Sequence, residues 1–283
     1  MSSNAEALRI DRHWIGAPAS GFNPTLALAA IAVPGFAIGV AAIGAGALPA
    51  VPGVLWQTFC LYLSFTVLHE SMHGTAHRSR KVCRNLGRVC GLMLASPLPL
   101  FWGVHHAHHS HTNDGERDPD LFAATGPAWM RSLTGLLGLY FYRRHFYGQP
   151  LWRDAADRRE AIGSDLLLAA LLVGTLATVP TLVLTAWLVP VTLVALLLKY
   201  TFDYLPHHPN NRMRGRFYDT RIVPGRIGNI LLLGQNYHLV HHLWPTVPWF
   251  RNRRLFEEIE PELRERHCAI GWNSLPEPGG SPD

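Results

Sequence analysis

The chain is poor in cysteine and in charge: 4 of its 283 residues are Cys and 16% are Asp, Glu, Lys or Arg. Cys60, Cys83, Cys90 and Cys268 form no C-x-x-C pair, which argues against a disulfide frame or a cysteine zinc site and leaves them as reduced packing residues. The first 24 residues lack an apolar core, so no cleavable signal peptide is expected. No flavin, haem or iron-sulfur motif is present, so any redox chemistry must draw electrons from a separate carrier. Charge is missing altogether from residues 25–49. At about 20 residues per span, that stretch is long enough to cross roughly 30 Å of hydrocarbon.

A second apolar run, Val54 to Leu68, ends at a histidine, and residues 165–206 hold a long apolar stretch broken near Trp187 and Pro190. Asp165, Lys199 and Asp203 are the only charges in it. The expectation is an all-α integral membrane protein with four transmembrane helices in two hairpins and a cytoplasmic helical cap. The spans fall at about 25–49, 53–77, 164–187 and 190–206, within one domain over 1–273 and before a disordered tail at 274–283. Arginines flank the outer ends of the spans, while the turns at Pro49–Pro52 and Leu188–Pro190 carry no Lys or Arg. The positive-inside rule then places both termini and every histidine group in the cytoplasm, with a bacterial inner membrane as the expected location. The net charge of +5 follows from that asymmetry and calls for no nucleic-acid partner.

Thirteen of the 16 histidines fall into four tight groups, and three share one grammar: His69-x-x-x-His73, His105-x-x-His108-His109 and His238-x-x-His241-His242. Residues at i, i+3 and i+4 lie on one helix face, so each group aims two or three imidazoles in one direction. Eight converging nitrogens exceed what one tetrahedral zinc needs and point to two metal ions. Imidazole suits iron, copper, zinc and nickel alike, so the ligand type does not choose the metal. Placement narrows the choice. A continuous helix from Val54 to His77 would be about 36 Å long and would lift its histidines just beyond the lipid, where a lipophilic substrate meets them. An unactivated C–H bond gives no foothold for acid–base chemistry, and a pair of irons activating O2 fits that task. A histidine-rich metal transporter is the rival reading, but its ligands belong near the bilayer midplane.

The stretches HESMHGTAHRS, HHAHHSHTNDGERDPD, YLPHHP and GQNYHLVHHLWPTVPWF resemble the membrane fatty-acid-desaturase-like superfamily of di-iron hydroxylases, ketolases and desaturases. Within it they are most similar to the β-carotene hydroxylases of cyanobacterial type, over roughly residues 54–255. The resemblance implies that His69, His73, His105, His108, His109, His238, His241 and His242 bind iron, with His207 as the extra histidine before the third box. It implies two iron ions, O2 as co-substrate, and electrons from a ferredoxin or similar carrier that cytoplasmic arginines dock by charge. The reaction implied is hydroxylation of the β-ionone ring of a carotenoid drawn from the membrane; a carotenoid ketolase or acyl-lipid desaturase has the same ligand set. Superfamily members often carry Asn four residues before the extra histidine. This chain has Asp203, counted with Asn236 as a catalytic candidate.

His77, one turn past His73, is expected as a ligand or a neighbour of the ligands. Asp118 and Asp120 either accept the outer ring N–H of metal-bound histidines or cap a loop. Gln235 and Asn236 orient ligands or pack. Glu70 is rotated about 100° from His69 and either supports it or sits as a solvated charge. Lys199 is expected to snorkel, and Trp102, Trp129, Trp152, Trp244 and Trp249 to form an interfacial belt. Gly87–Leu100 reads as a surface or re-entrant helix, residues 131–152 as an interfacial helix, and GNILLLGQNYHLVHHLW as a final helix.

Overall fold

The computed structural model describes residues 8–18, 21–124, 128–209, 214–272 and 274. Helix α1 (Pro24–Gly44) begins where the Asn23 side chain accepts from the backbone N–H groups of Thr25 and Leu26, with proline at the first helical position. Helix α2 (Ala50–His73) returns beside it. The two approach closely because Gly35 and Gly39 present no side chain: Trp56 Nε1 donates to the Gly35 carbonyl at 2.8 Å and Gln57 Nε2 to the Phe36 carbonyl at 3.2 Å. A Cβ on Gly39 would stand 2.7 Å from the Trp56 ring. This is the small-x-x-x-small packing that draws apolar helices together where the hydrophobic effect is weak.

The expected continuation of α2 to His77 does not occur. Gly74 takes a left-handed conformation (φ 74°) and its N–H bonds back to the Glu70 and Ser71 carbonyls, which ends the helix at His73. Helices α3 (Arg80–Met93) and α4 (Leu98–His111) meet at a 95° bend. They occupy the place of the surface or re-entrant segment. The expected interfacial helix at 131–152 is a 3-10 segment (Ala128–Leu137) running into α5 (Gly138–Gly148).

Helix α6 (Ala155–Thr178) starts before the expected position of the third span. The expected break near Trp187 and Pro190 is also displaced. It lies at Val179, which precedes Pro180 and is driven out of helical geometry (φ −138°, ψ 56°). From there α7 (Pro180–Val183), a π-helical turn (Leu184–Leu188), α8 (Val189–Leu198) and a second π turn (Lys199–Tyr204) run on as one span. The wide turn before Pro190 accommodates its ring and missing N–H. Among the described residues, four helical stretches are thus long and apolar enough to cross a membrane: Pro24–Gly44, Ala50–His73, Ala155–Thr178 and Pro180–Tyr204.

The expected final helix is broken into α9 (Arg226–Leu231), a 3-10 turn (Gln235–Tyr237) and α10 (His238–Leu243). Leu233 and Gly234 take positive φ (47° and 78°), and the Trp249 carbonyl comes within 2.5 Å of where a Gly234 Cβ would sit. Helix α11 (Asn252–Glu265), unanticipated from the sequence, then packs Leu255, Phe256, Ile259 and Leu263 against Leu239, Val240 and Leu243. A two-residue parallel bridge between β1 (Arg221–Ile222) and β2 (Ala269–Ile270) is a small departure from an all-α chain. A second core joins Leu61, Val67 and Leu68 of α2 to Phe101 of α4 and Val191, Val194 and Leu198 of α8. Apart from residue 274, the expected tail lies outside the described residues.

Gly39→Val drives a branched side chain into the Trp56 ring and is expected to destabilise the protein by about 1–3 kcal/mol. The measurement is the melting temperature in detergent micelles; an unchanged value would show that the α1–α2 contact tolerates separation.

Candidate metal centre

Helix α2 delivers His69 and His73, α4 delivers His105, His108 and His109, the end of the fourth span delivers His207, and α10 delivers His238, His241 and His242. They converge as two groups. In one, nitrogens of His69, His73, His105 and His241 lie within 4.8 Å of one another; in the other, those of His108, His207, His238 and His242 do. His109 adjoins the first group, its Nε2 3.0 Å from both His105 Nε2 and His241 Nε2. His241 Nε2 is also 3.1 Å from His69 Nε2, and His238 Nε2 is 2.9 Å from His207 Nε2 and 3.1 Å from His242 Nε2.

This pattern fits metal ligation. An Nε2 carries either one hydrogen or one lone pair, so His238 and His241 cannot satisfy two nitrogen neighbours each by hydrogen bonding. Two nitrogens about 2.1 Å from a shared cation and at right angles stand about 3.0 Å apart, whereas tetrahedral ligands stand about 3.4 Å apart. The observed spacings of 2.9 to 3.1 Å are short enough for such sharing. The buried His73 Nε2 lacks any hydrogen-bond partner. Burial, reinforced by neighbouring imidazoles, pushes His238, His241 and His242 well below the usual histidine range, leaving them in the neutral form that binds metals.

Several outer ring nitrogens are held. His108 Nδ1 lies 2.8 Å from Asp118 Oδ1 and 3.5 Å from Asp120 Oδ2. His238 Nδ1 lies 3.2 Å from Gln235 Oε1, and His242 Nδ1 3.4 Å from Thr112 Oγ1. Glu70 is buried, not solvated: one oxygen is 3.4 Å from His69 Nδ1, and the other accepts from Thr75 Oγ1 at 2.6 Å and from the Trp249 N–H at 3.2 Å. Such partners fix ring orientation and raise ligand basicity.

An apolar pocket reaches this cluster. Phe65, Leu68, Phe101, Val194, Leu198 and Phe202 line it, and His69, His105, His108 and His238 close one side. Asp120, Tyr142, Lys199 and Asp203 also line it. Lys199 does not snorkel. Its ammonium is buried, 2.9 Å from Asp120 Oδ1 and 2.5 Å from Asp203 Oδ2, and it sits 4.0 Å over the Phe122 ring, while Tyr142 donates to Asp120 at 2.5 Å.

The model of the fatty acid desaturase family matches residues 45–274. The chain belongs to that family. Among curated relatives, a β-carotene 4-ketolase of Haematococcus lacustris is 27% identical over 199 residues, covering 66% of this chain and 56% of the relative. A β-carotene ketolase of a Paracoccus strain is 28% identical over 214 residues (70% and 74%), and the dihydrorhizobitoxine desaturase of Bradyrhizobium elkanii 27% over 235 residues (72% and 66%). The chain thus spans little more than half the length of the Haematococcus relative. Among its described residues, this desaturase-family protein has four helical stretches long and apolar enough to cross a membrane.

Other candidate residues stand apart from the two imidazole groups of this family member. His77 lies past the helix end, where its Nδ1 accepts from the Ser79 N–H. Asp203 is bound to Lys199 rather than placed in either group. Asn236 donates to the Val223 carbonyl at 2.9 Å, bracing the loop that enters α10. His106 stacks on Trp102 at the surface. None of the five tryptophans lines the pocket among the described residues, and Trp129's side chain is not among them. Thr112 and Tyr142 escaped the sequence reading, because neither shares the spacing of the boxes it supports.

His241→Ala removes a donor from one four-imidazole group, so bound iron per chain should fall by about half; elemental analysis of purified protein checks this, and full occupancy would remove His241 from the ligand set. Lys199→Met strands two buried carboxylates without their cation and should cost about 3–5 kcal/mol. That loss is read as a lower melting temperature, and an unchanged one would show that the carboxylates find other partners.

Proposed function

We propose that this protein is a di-iron oxygenase that hydroxylates the β-ionone ring of a carotenoid, with its active site and both termini on the cytoplasmic side of a bacterial inner membrane. The observation that carries the reading is an apolar pocket that runs between membrane helices and ends on imidazoles of both groups. His69, His73, His105, His109 and His241 would hold one iron, and His108, His207, His238 and His242 the other. Bound there, the iron pair supplies the redox chemistry that turns O2 into an oxidant for an unactivated C–H bond.

The protein's own residues bind, orient and insulate. Phe65, Phe101 and Phe202 offer flat and edge contacts for a conjugated hydrocarbon, with Phe65 packed edge-on to both others at ring separations of 5.8 and 4.7 Å. The aliphatic lining excludes water. Asp118, Gln235 and Glu70 keep the imidazoles aimed inward. The balance is one C–H, one O2, two electrons and two protons giving one C–OH and one water. The electrons come from a ferredoxin-like carrier, and the exposed Arg78, Arg80, Lys81 and Arg84 at the start of α3 support an acidic partner.

The ketolase names of two relatives favour a second reading, in which the same carbon is hydroxylated twice and loses water to become a ketone.

Expression in bacteria that accumulate β-carotene separates these outcomes by mass spectrometry of the pigments. Oxygen gained without loss of hydrogen is the expected product, and oxygen gained with two hydrogens lost gives the ketone. Pigments left unchanged while membrane lipids gain double bonds would overturn the carotenoid assignment. His108→Ala and His241→Ala should each abolish turnover.

A further inference from the structure

Two helical elements each line the pocket with some residues and expose others. On the 3-10 segment and the start of α5, Gly135, Gly138, Leu139 and Tyr142 line the pocket. Leu133, Leu136, Leu137 and Tyr140 on the same stretch are 47%, 54%, 52% and 62% exposed. The fourth span repeats this division: Val191, Val194, Ala195 and Leu198 line the pocket, while Leu193, Leu197 and Tyr200 form an exposed stripe at helical spacing. The two elements meet at Gly135, where a Cβ would lie 2.9 Å from the Ala195 carbonyl oxygen and the Leu196 Cα. The exposed leucines of the segment are therefore continuous with the outer stripe of a membrane span. Water does not cover such a surface favourably, and acyl chains do.

We infer that this seam, between residues 133–142 and α8, is where a neutral, headgroup-free lipophile passes sideways from the bilayer to the histidine cluster. The inference rests on the oxygenase reading and specifies the chemistry of its substrate. On the bilayer side the seam presents leucines and tyrosines, which solvate hydrocarbon and give no counter-charge to a phosphate or carboxylate headgroup. A long apolar molecule can lodge one end between Phe65, Phe101 and Phe202 while the remainder stays in lipid. Close backbone contact at Gly135 keeps the wall shut without a bulky side chain to displace. Gly138 leaves room along the same wall, since a Cβ there meets only Phe122, at 3.8 Å.

Two measurements on the full, iron-loaded chain in phosphatidylcholine vesicles test this. All four native cysteines are buried, so Leu136→Cys can be labelled selectively with an environment-sensitive fluorophore. Brominated phosphatidylcholine should quench the label and iodide should not; the reverse overturns the proposal. Gly138→Leu fills the wall and should abolish uptake of β-carotene, followed by energy transfer from tryptophan, while iron content and melting temperature match the parent and Gly138→Ala still binds. Binding by Gly138→Leu equal to the parent overturns the route. A parent protein that takes up retinol but no carotene, with retinol lost in Gly138→Leu, supports the route and instead overturns the carotenoid assignment. A parent that binds only an acyl thioester overturns both.

Discussion

Nine imidazoles packed nitrogen to nitrogen in a buried volume cannot satisfy one another. Each Nε2 has one hydrogen or one lone pair, yet His238 and His241 each face two nitrogen neighbours near 3 Å. Protonating them to relieve the contact would concentrate charge where burial already disfavours it. Cations between the rings would resolve the conflict, and several elements converge to bring the rings together. The ends of α2, α4 and α10 and the chain after the fourth span are brought to one place. Buried side chains then take up outer ring nitrogens: Asp118 on His108, Gln235 on His238, Glu70 on His69. Glu70 also receives the Trp249 N–H, tying the ligand helix to the segment that follows α10.

A second constraint is charge beside an apolar pocket. Lys199 lies in a span whose only other charged residue is Asp203, and such a position is tolerable only with partners. Asp203, one turn along, and Asp120, from the loop after α4, supply them. Asp120 also approaches His108. The ion pair therefore joins the fourth span to the loop that supports the second imidazole group, and the pocket, the span and the imidazoles share one network. The same span lines the pocket with Val191, Val194, Ala195 and Leu198 and leaves Leu193 and Leu197 exposed.

The convergence of the histidine boxes was legible because i, i+3, i+4 spacing means one helix face whatever surrounds it. The four apolar stretches were legible because length and absence of charge are properties of a segment alone. The boundaries were less so. Gly74 ends α2 before His77, Val179 yields to Pro180 instead of the chain turning at Pro190, and Leu233 and Gly234 break the helix expected through the third box. Each depends on which of several glycines or prolines is used as a terminator, and packing decides that. Sequence determined the chemistry available: imidazoles in three boxes, an extra histidine near the end of the last span, and membrane helices to carry them. Only the tertiary structure decided how those imidazoles divide into two groups, that Lys199 is buried between Asp120 and Asp203, and that Thr112 and Tyr142 stand beside His242 and Asp120. The physical reason is that ligation and ion pairing act over about 3 Å in space, between residues separated in the chain by loops whose path no local pattern encodes.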